Sequence, residues 1–214
     1  MKQIKGIWFP DRDILTTKQG KLNRMAEHGF HLSHLAAALQ YVTNWTIAID
    51  GGANVGFWTK EMATRFEKVL AFELDPDTFA CLEKNIDIEN VSIVNKGLSD
   101  THDHVGIANG RNDNSFGRHV SGRGNIETVT IDSLNLTDLG FLKLDVEGYE
   151  GKVLHGARNT LTKYKPIVVI EHKPNKPFLV KRSGSHDPIK ILNELGATLI
   201  DKVGKNNIDW VFGW

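Results

Sequence analysis

The apolar run Thr46-Ile47-Ala48-Ile49-Asp50 closes on a carboxylate and passes directly into Gly51-Gly52-Ala53-Asn54-Val55-Gly56, and a helical pattern then runs from about Val55 to Arg65. No other feature limits the fold as much. A short buried strand, a glycine-rich turn and a helix make the opening unit of a parallel α/β sheet, because parallel neighbours need a crossover and that crossover is usually a helix. The pattern repeats. Lys68 to Glu73 is a second run of β type, and Asp75-Pro76 opens a helix with Phe79, Leu82 and Ile86 on one side. Val91 to Leu98, Phe141 to Asp145 and Pro166 to Glu171 supply three further strands, with a helix from about Tyr149 to Tyr164 between the last two. After the polar start Ser185-His186-Asp187, a helix from about Pro188 to Leu195 is stopped by Gly196. Ala197 to Val203 and Ile208 to Phe212 then predict an antiparallel hairpin across Gly204-Lys205-Asn206-Asn207. The expected fold class is α/β: a doubly wound, mostly parallel seven-stranded sheet ending in a C-terminal antiparallel hairpin. Residues 1–45, with a helical stretch from about His31 to Tyr41, are expected to form a short N-terminal cap on a domain spanning 46–214.

The 214 residues suffice for one domain with an extension. Hydrophobic content of 40% and charged content of 24% exclude wholesale disorder. Lys plus Arg and Asp plus Glu are equal at 26 each, which leaves no global field to draw in a polyanion and disfavours nucleic acid as a partner. A lone cysteine, Cys81, excludes an internal disulfide and a thiolate metal cluster, and its place on the apolar side of the second helix reads as packing. Met1 to Pro10 has no charged head followed by a long apolar run, and no stretch approaches the roughly 20 apolar residues of a membrane span. No membrane partner is expected, and the expected location is cytoplasmic.

In open α/β sheets a ligand sits beyond the carboxyl ends of the strands, where glycines let backbone approach it and the next helix aims its N–H groups. The spacing here argues against a cradled diphosphate. The dinucleotide fingerprint needs glycine at the first, third and sixth places; counted from Gly51 the third is Ala53, and counted from Gly52 it is Asn54. Asp50 suits a cofactor with an ammonium end, and Glu73, about twenty residues further on, can take both hydroxyls of a ribose. S-adenosylmethionine carries both groups. Its expected contacts are Asp50, Gly51, Gly52, Asn54, Gly56, Glu73 and Leu74, with Gly97 and Leu98 at the end of the third strand.

Chemistry is expected one strand further along. Asp145 and Glu147 follow the fourth core strand, sharing one side if that strand continues and otherwise lying in one loop at the pocket mouth. Glu171 and His172 end the neighbouring strand, so four ionisable groups are expected to converge. A carboxylate or His172 would serve as base toward a hydroxyl acceptor; alternatively Asp145 and Glu171 would hold a divalent cation such as Mg²⁺. No residue is otherwise assigned to a metal. Glu150, and with less reason Glu147, has the competing role of capping the next helix. Asn109 to Asn125 reads as a long loop whose Arg111, Arg118, His119 and Arg123 either close on an anionic acceptor or stay solvated. His102 and His104 lack a third metal ligand, and Trp8, Phe9 and Trp45 line an acceptor cleft or belong to the core.

The blocks Ile49-Asp50-Gly51-Gly52-Ala53-Asn54-Val55-Gly56, Ala71-Phe72-Glu73 and Leu142-Lys143-Leu144-Asp145-Val146-Glu147-Gly148-Tyr149-Glu150 together resemble the FkbM-type methyltransferases. Val153-Leu154-His155-Gly156-Ala157 and Pro166-Ile167-Val168-Val169-Ile170-Glu171 extend the resemblance over about Thr46 to His172. It implies a class I, Rossmann-like methyltransferase fold, S-adenosylmethionine as cofactor, and O-methylation of a hydroxyl on a sugar, polyketide or similar small metabolite. The chain departs from the family in having Leu74-Asp75-Pro76 where proline commonly follows the acidic residue directly. Two rivals are weighed. A nicotinamide-dependent oxidoreductase suits the same fold, but Ala53 occupies the middle glycine place and no Tyr-Lys pair suggests itself. A noncatalytic cofactor-binding module is the other, and Asp145, Glu147 and Glu171 together argue against it.

Overall fold

Strands covered on both faces are near-continuous apolar runs, and Ile47-Ala48-Ile49 and Phe141-Leu142-Lys143-Leu144, with Lys143 as the one exception in type, are buried at every position. In the computed structural model, which describes residues 1–16, 18–109, 115–172 and 186–214, these runs are β3 (Ile47–Gly51) and β10 (Phe141–Leu144), adjacent at the middle of a seven-stranded sheet. Outward from β3 lie β4 (Lys68–Phe72) and β5 (Val91–Val94); outward from β10 lie β11 (Ile167–Glu171), β13 (Asp209–Gly213) and β12 (Thr198–Val203). The five strands from β5 to β11 are parallel, while β13 runs antiparallel to β11 and β12 antiparallel to β13. The sheet is therefore mixed, closed at one edge by the expected hairpin.

Period-two alternation assigns the two faces. Ile47, Ile49, Leu142, Leu144, Val168 and Ile170 pack under α6 (Glu150–His155), α7 (Arg158–Tyr164) and α8 (Pro188–Glu194). Ala48, Phe141 and Val169 pack under α3 (Leu32–Leu39) and α4 (Phe57–Ala63). Ala71 of β4 meets Leu82 and Ile86 at α5 (Pro76–Asn85), whose N-cap Asp75 accepts from Asp77 N as Pro76 enters the first turn. From β3 the chain winds outward to β5 and later returns to β10 on the other side of β3. The ends of β3 and β10 thus part at a topological switch point, where such sheets open a crevice.

Several boundaries differ from the sequence reading. Val91 to Leu98 is not one strand: after β5 the chain leaves the main sheet, and β6 (Gly97–Leu98) starts a second, four-stranded sheet with β7 (His104–Ala108), β8 (His119–Arg123) and β9 (Ile126–Val129). Asn95 makes the departure, its side-chain amide donating to the carbonyls of Glu73 and Leu74 at 2.8 and 3.3 Å in place of a strand partner. Part of the expected loop from Asn109 to Asn125 is therefore strand; Arg111 and Ser185 lie outside the described residues. The helix expected from Tyr149 to Tyr164 is two, because at Gly156 the backbone presses against Ser99, whose carbonyl oxygen lies 2.2 Å from where a Cβ would stand. The opening segment is more structured than a cap helix: β1 (Lys2–Ile4) and β2 (Ile7–Phe9) pair, followed by α1 (Asp11–Thr16) and α2 (Gln19–His28). Phe9, Leu22 and Met25 share one buried cluster with Val55 and Cys81. Asn85 ties it down, accepting from Trp8 N and donating to the carbonyls of Trp8 and Val55 at 2.8 to 3.0 Å. Among the described residues no helix is long and apolar enough to cross a membrane.

Candidate active site

Asp50 and Lys143 stand opposite each other in the register of β3 and β10, so both side chains leave the same face. Asp50 is fully buried; its Oδ1 accepts from Lys143 Nζ at 2.9 Å and its Oδ2 from Thr59 Oγ1 at 2.7 Å. The Lys143 ammonium also donates to the Gly52 carbonyl at 2.7 Å. Burial pulls the Lys143 pKa down, but the Asp50 and Asp145 carboxylates outweigh it and leave the pKa above its ordinary value. Asp50, expected to grip the ammonium end of a cofactor, thus stands behind the strand ends rather than open to the crevice. Its charge is already matched inside the protein, and the group that edges into the crevice is the Lys143 cation.

The turn beyond β3 is shaped by contact with β10. Gly52 has φ +77°, and a Cβ there would meet the Asp145 carbonyl oxygen at 2.0 Å, so only glycine fits. Asn54 takes φ +52°, its side-chain oxygen accepting from Val55 N at 2.9 Å. The Asn54 backbone N–H donates to Glu73 Oε2 and the Asp75 N–H to Glu73 Oε1, both at 2.9 Å. Burial pushes the Glu73 carboxyl up to about 7 despite those two donors.

These elements enclose a cavity of about 240 Å³. Of the residues expected to hold a cofactor, Gly52, Asn54, Glu73, Leu74, Gly97 and Leu98 line it. Asp50, Gly51 and Gly56 lie behind its wall: a Cβ on Gly51 would meet Leu144 and Leu98, and one on Gly56 would meet Leu82 and Ile86. Asp145, Glu147 and Glu171 line it as well, and one carboxylate oxygen from each lies within 4.8 Å of the other two. One hydroxyl group, or one divalent cation, is small enough to touch all three. Because β10 ends at Leu144, Asp145 and Glu147 lie in one loop; Glu147 has φ +51° and Gly148 φ +95°. Glu150 holds that loop from behind, Oε1 accepting from Val146 N at 3.0 Å and Gly148 N at 3.2 Å, and burial pushes its carboxyl up to about 7.

His172 does not join the three carboxylates. Its N–H donates to the Ile208 carbonyl at 2.7 Å and its ring lies 4.2 Å from that of Trp210, outside the cavity lining. Trp8, Phe9 and Trp45 are packing residues; the aromatic rings at the cavity are Phe30, Phe57, Phe72, Trp58 and Tyr149. Arg118 reaches the lining, whereas His102, His104 and Arg123 are exposed elsewhere. Lys143, Ser115 and the N-terminal Lys21, Phe30 and His31 also line the cavity without having been singled out from the sequence. Only Lys143 left a readable signal, a lone charge inside an otherwise apolar buried run.

A hexuronic acid methyltransferase, AglP, from Haloferax volcanii is 30% identical over 179 residues, covering 77% of this chain and 68% of that protein. The crystal structure of a methyltransferase FkbM from Methylobacillus flagellatus superposes with a TM-score of 0.52 at 18% identity, covering 80% of this chain. The matched part is only 44% of that longer chain. A precorrin 8W decarboxylase from Methanobacterium thermoautotrophicum superposes with a TM-score of 0.51 at 15% identity, over 86% of this chain and 90% of that one. At those identities the two structures speak for the fold, a methyltransferase-like α/β architecture. The family model of the methyltransferase FkbM domain matches residues 50–199, which include the glycine turn, Glu73 and all three cavity carboxylates, and the chain belongs to that family.

Proposed function

We propose that this protein transfers a methyl group from S-adenosylmethionine to an oxygen of a small sugar-like acceptor. One observation carries the reading: Glu73 with the Gly52 to Asn54 turn, and the Asp145, Glu147 and Glu171 carboxylates, edge the same cavity. The residues present fit the cofactor. Each Glu73 oxygen accepts one backbone N–H and keeps a second acceptor position for a ribose hydroxyl. The Lys143 cation complements the carboxylate of an amino-acid moiety, and Phe72, Leu74 and Leu98 offer apolar surface to a purine. When bound, S-adenosylmethionine supplies a methyl group made electrophilic by its sulfonium. What the chain must add is an aligned acceptor and a place for its proton. Asp145, Glu147 and Glu171 offer converging oxygens that hold a hydroxyl and take its proton, and Glu150 keeps the Glu147 loop in shape.

The acceptor class is supported by the name of the Haloferax relative, whose substrate is a hexuronic acid. Lys21, Lys96 and Arg118 put positive charge on the cavity lining, Lys96 while also paired with Glu127 and Arg118 with Asp75, and that charge suits a sugar bearing an acidic group. Calorimetry with S-adenosylhomocysteine and with NAD⁺, followed by transfer of labelled methyl to glycosides with and without a uronic acid, tests both parts. Binding of the nicotinamide cofactor in place of the adenosyl one would reject the proposal. Asp145→Asn should retain S-adenosylhomocysteine affinity while turnover falls about 10²- to 10⁴-fold; undiminished turnover would take Asp145 off the reaction.

A further inference from the structure

The region matched by the family model begins at residue 50, yet the N-terminal segment reaches the cofactor turn. Glu73 is held by two backbone donors, Asn54 N and Asp75 N. Each of those two residues is tied in turn to α1. Asp13 is fully buried, with Oδ1 accepting from Ser115 N at 2.7 Å and Oδ2 from Ser115 Oγ at 2.6 Å. The same Ser115 hydroxyl accepts from Asn54 Nδ2 at 3.2 Å, and Ser115 lines the cavity. One residue earlier, Arg12 pairs with Asp75 and with Asp77, the latter at 2.9 Å. Arg118, also on the cavity lining, approaches Asp75 at 3.3 Å. Neighbouring residues of one short helix therefore brace both donors of the same carboxylate, one through Ser115 and one directly.

A buried carboxylate is costly unless its oxygens are satisfied, and Asp13 spends both on a single residue 102 positions away. We propose that the N-terminal segment completes the cofactor site, with Asp13 a positioning residue that fixes Ser115 and, through it, Asn54 against Glu73. This rests on the cofactor reading above. Without Asp13, Ser115 loses the acceptor that orients its hydroxyl, and Asn54, in a left-handed conformation that a non-glycine residue adopts at a cost, loses its outer brace. The turn then samples orientations in which its N–H no longer meets Glu73, and the ribose acceptor is no longer pre-organised.

The test is the affinity for S-adenosylhomocysteine, measured calorimetrically on the whole chain for Asp13→Ala, Ser115→Ala, the double variant and Leu22→Ala. Leu22 is buried in the same N-terminal segment but takes no part in this chain of hydrogen bonds, so its variant reports what loosened packing alone does. Asp13→Ala and Ser115→Ala should each weaken binding about tenfold, with the double variant no worse than either, while Leu22→Ala melts earlier at unchanged affinity. Unchanged affinity in Ser115→Ala, or an equal loss in Leu22→Ala, would overturn the assignment. Should Asp13→Ala fail to fold, Ser115→Ala decides alone. A wild-type chain without affinity would overturn the proposed function as well, which separates the two failures.

Discussion

If Glu73 holds the cofactor as proposed, one buried carboxyl ties binding to pH. Under the proposed function, ribose hydroxyls would donate to the ionised form, and burial has pushed the group up to about 7. Affinity for S-adenosylhomocysteine should therefore rise with pH through about 7 and level off above it. Glu73→Gln should flatten that profile and weaken binding by about 1 to 3 kcal/mol, read by calorimetry across pH 6 to 8 at roughly half-unit steps. Stability runs the other way. The folded carboxyls of Glu73 and Glu150 keep their protons to about 7, whereas the unfolded ones lose them near the ordinary value of 4.5. Across that window the folded state binds more protons than the unfolded state, so stability falls as pH rises. Glu150→Gln should make the melting temperature less dependent on pH between those limits. Lys143→Met would leave Asp50 buried beside Thr59 without its cation, and urea titration should show a loss of about 3 to 5 kcal/mol.

At the level of elements, the close approaches made through glycine decide which segments can meet. A Cβ on Gly151 would lie 1.7 Å from the His186 carbonyl oxygen, so Gly151→Ala must push α6 away from the chain entering α8. Thermal unfolding should register about 1 to 3 kcal/mol of destabilisation. Gly20→Ala is the contrasting case: the added methyl in α2 meets nothing within 4 Å, and a gain of up to about 1 kcal/mol is expected. The same physics explains what could be read in advance. Strands β3, β4, β10 and β11 are covered on both faces, which forces apolar runs bounded by turn residues, and they were legible. Strand β6 is only two residues long, β7 to β9 are short and partly exposed, and β8 is built from His119-Val120-Ser121-Gly122-Arg123, a composition that reads as loop. Gly52 and Glu73 were legible because each adjoins a strand end. The partner of Asp50 was not, since Lys143 stands 93 residues away and only the strand register brings them together. Nor did periodicity place Phe30, His31 or Ser115 at the cavity, because the first two sit at a bend and the third opens a single 3-10 turn, and the direction of both depends on tertiary packing.

Over the whole molecule, the opening segment and the main sheet behave as one body. Val55 and Cys81 share a buried cluster with Phe9, Leu22 and Met25, and His34 Nδ1 lies 2.6 Å from Asp209 Oδ2 in a buried pair that joins α3 to β13. A single cooperative unfolding transition is expected by calorimetry, without an earlier step for residues 1–45. Cys81 is the convenient reporter. Its thiol is fully buried and pushed up to about 11, so it should resist disulfide reagents in the intact chain and react within minutes once the first thirty or so residues are removed.

The Asp50–Lys143 pairing also bears on how the chain is made. While the polypeptide is being synthesised, the first βα units leave the ribosome long before position 143 exists. Until it does, the middle of the nascent sheet holds a carboxylate whose counterion has yet to be translated, and β3 lacks its neighbour on that side. The front half therefore emerges without the strand neighbour and the ion pair that hold it in the finished sheet, and completing that sheet takes a contact that spans nearly half the chain.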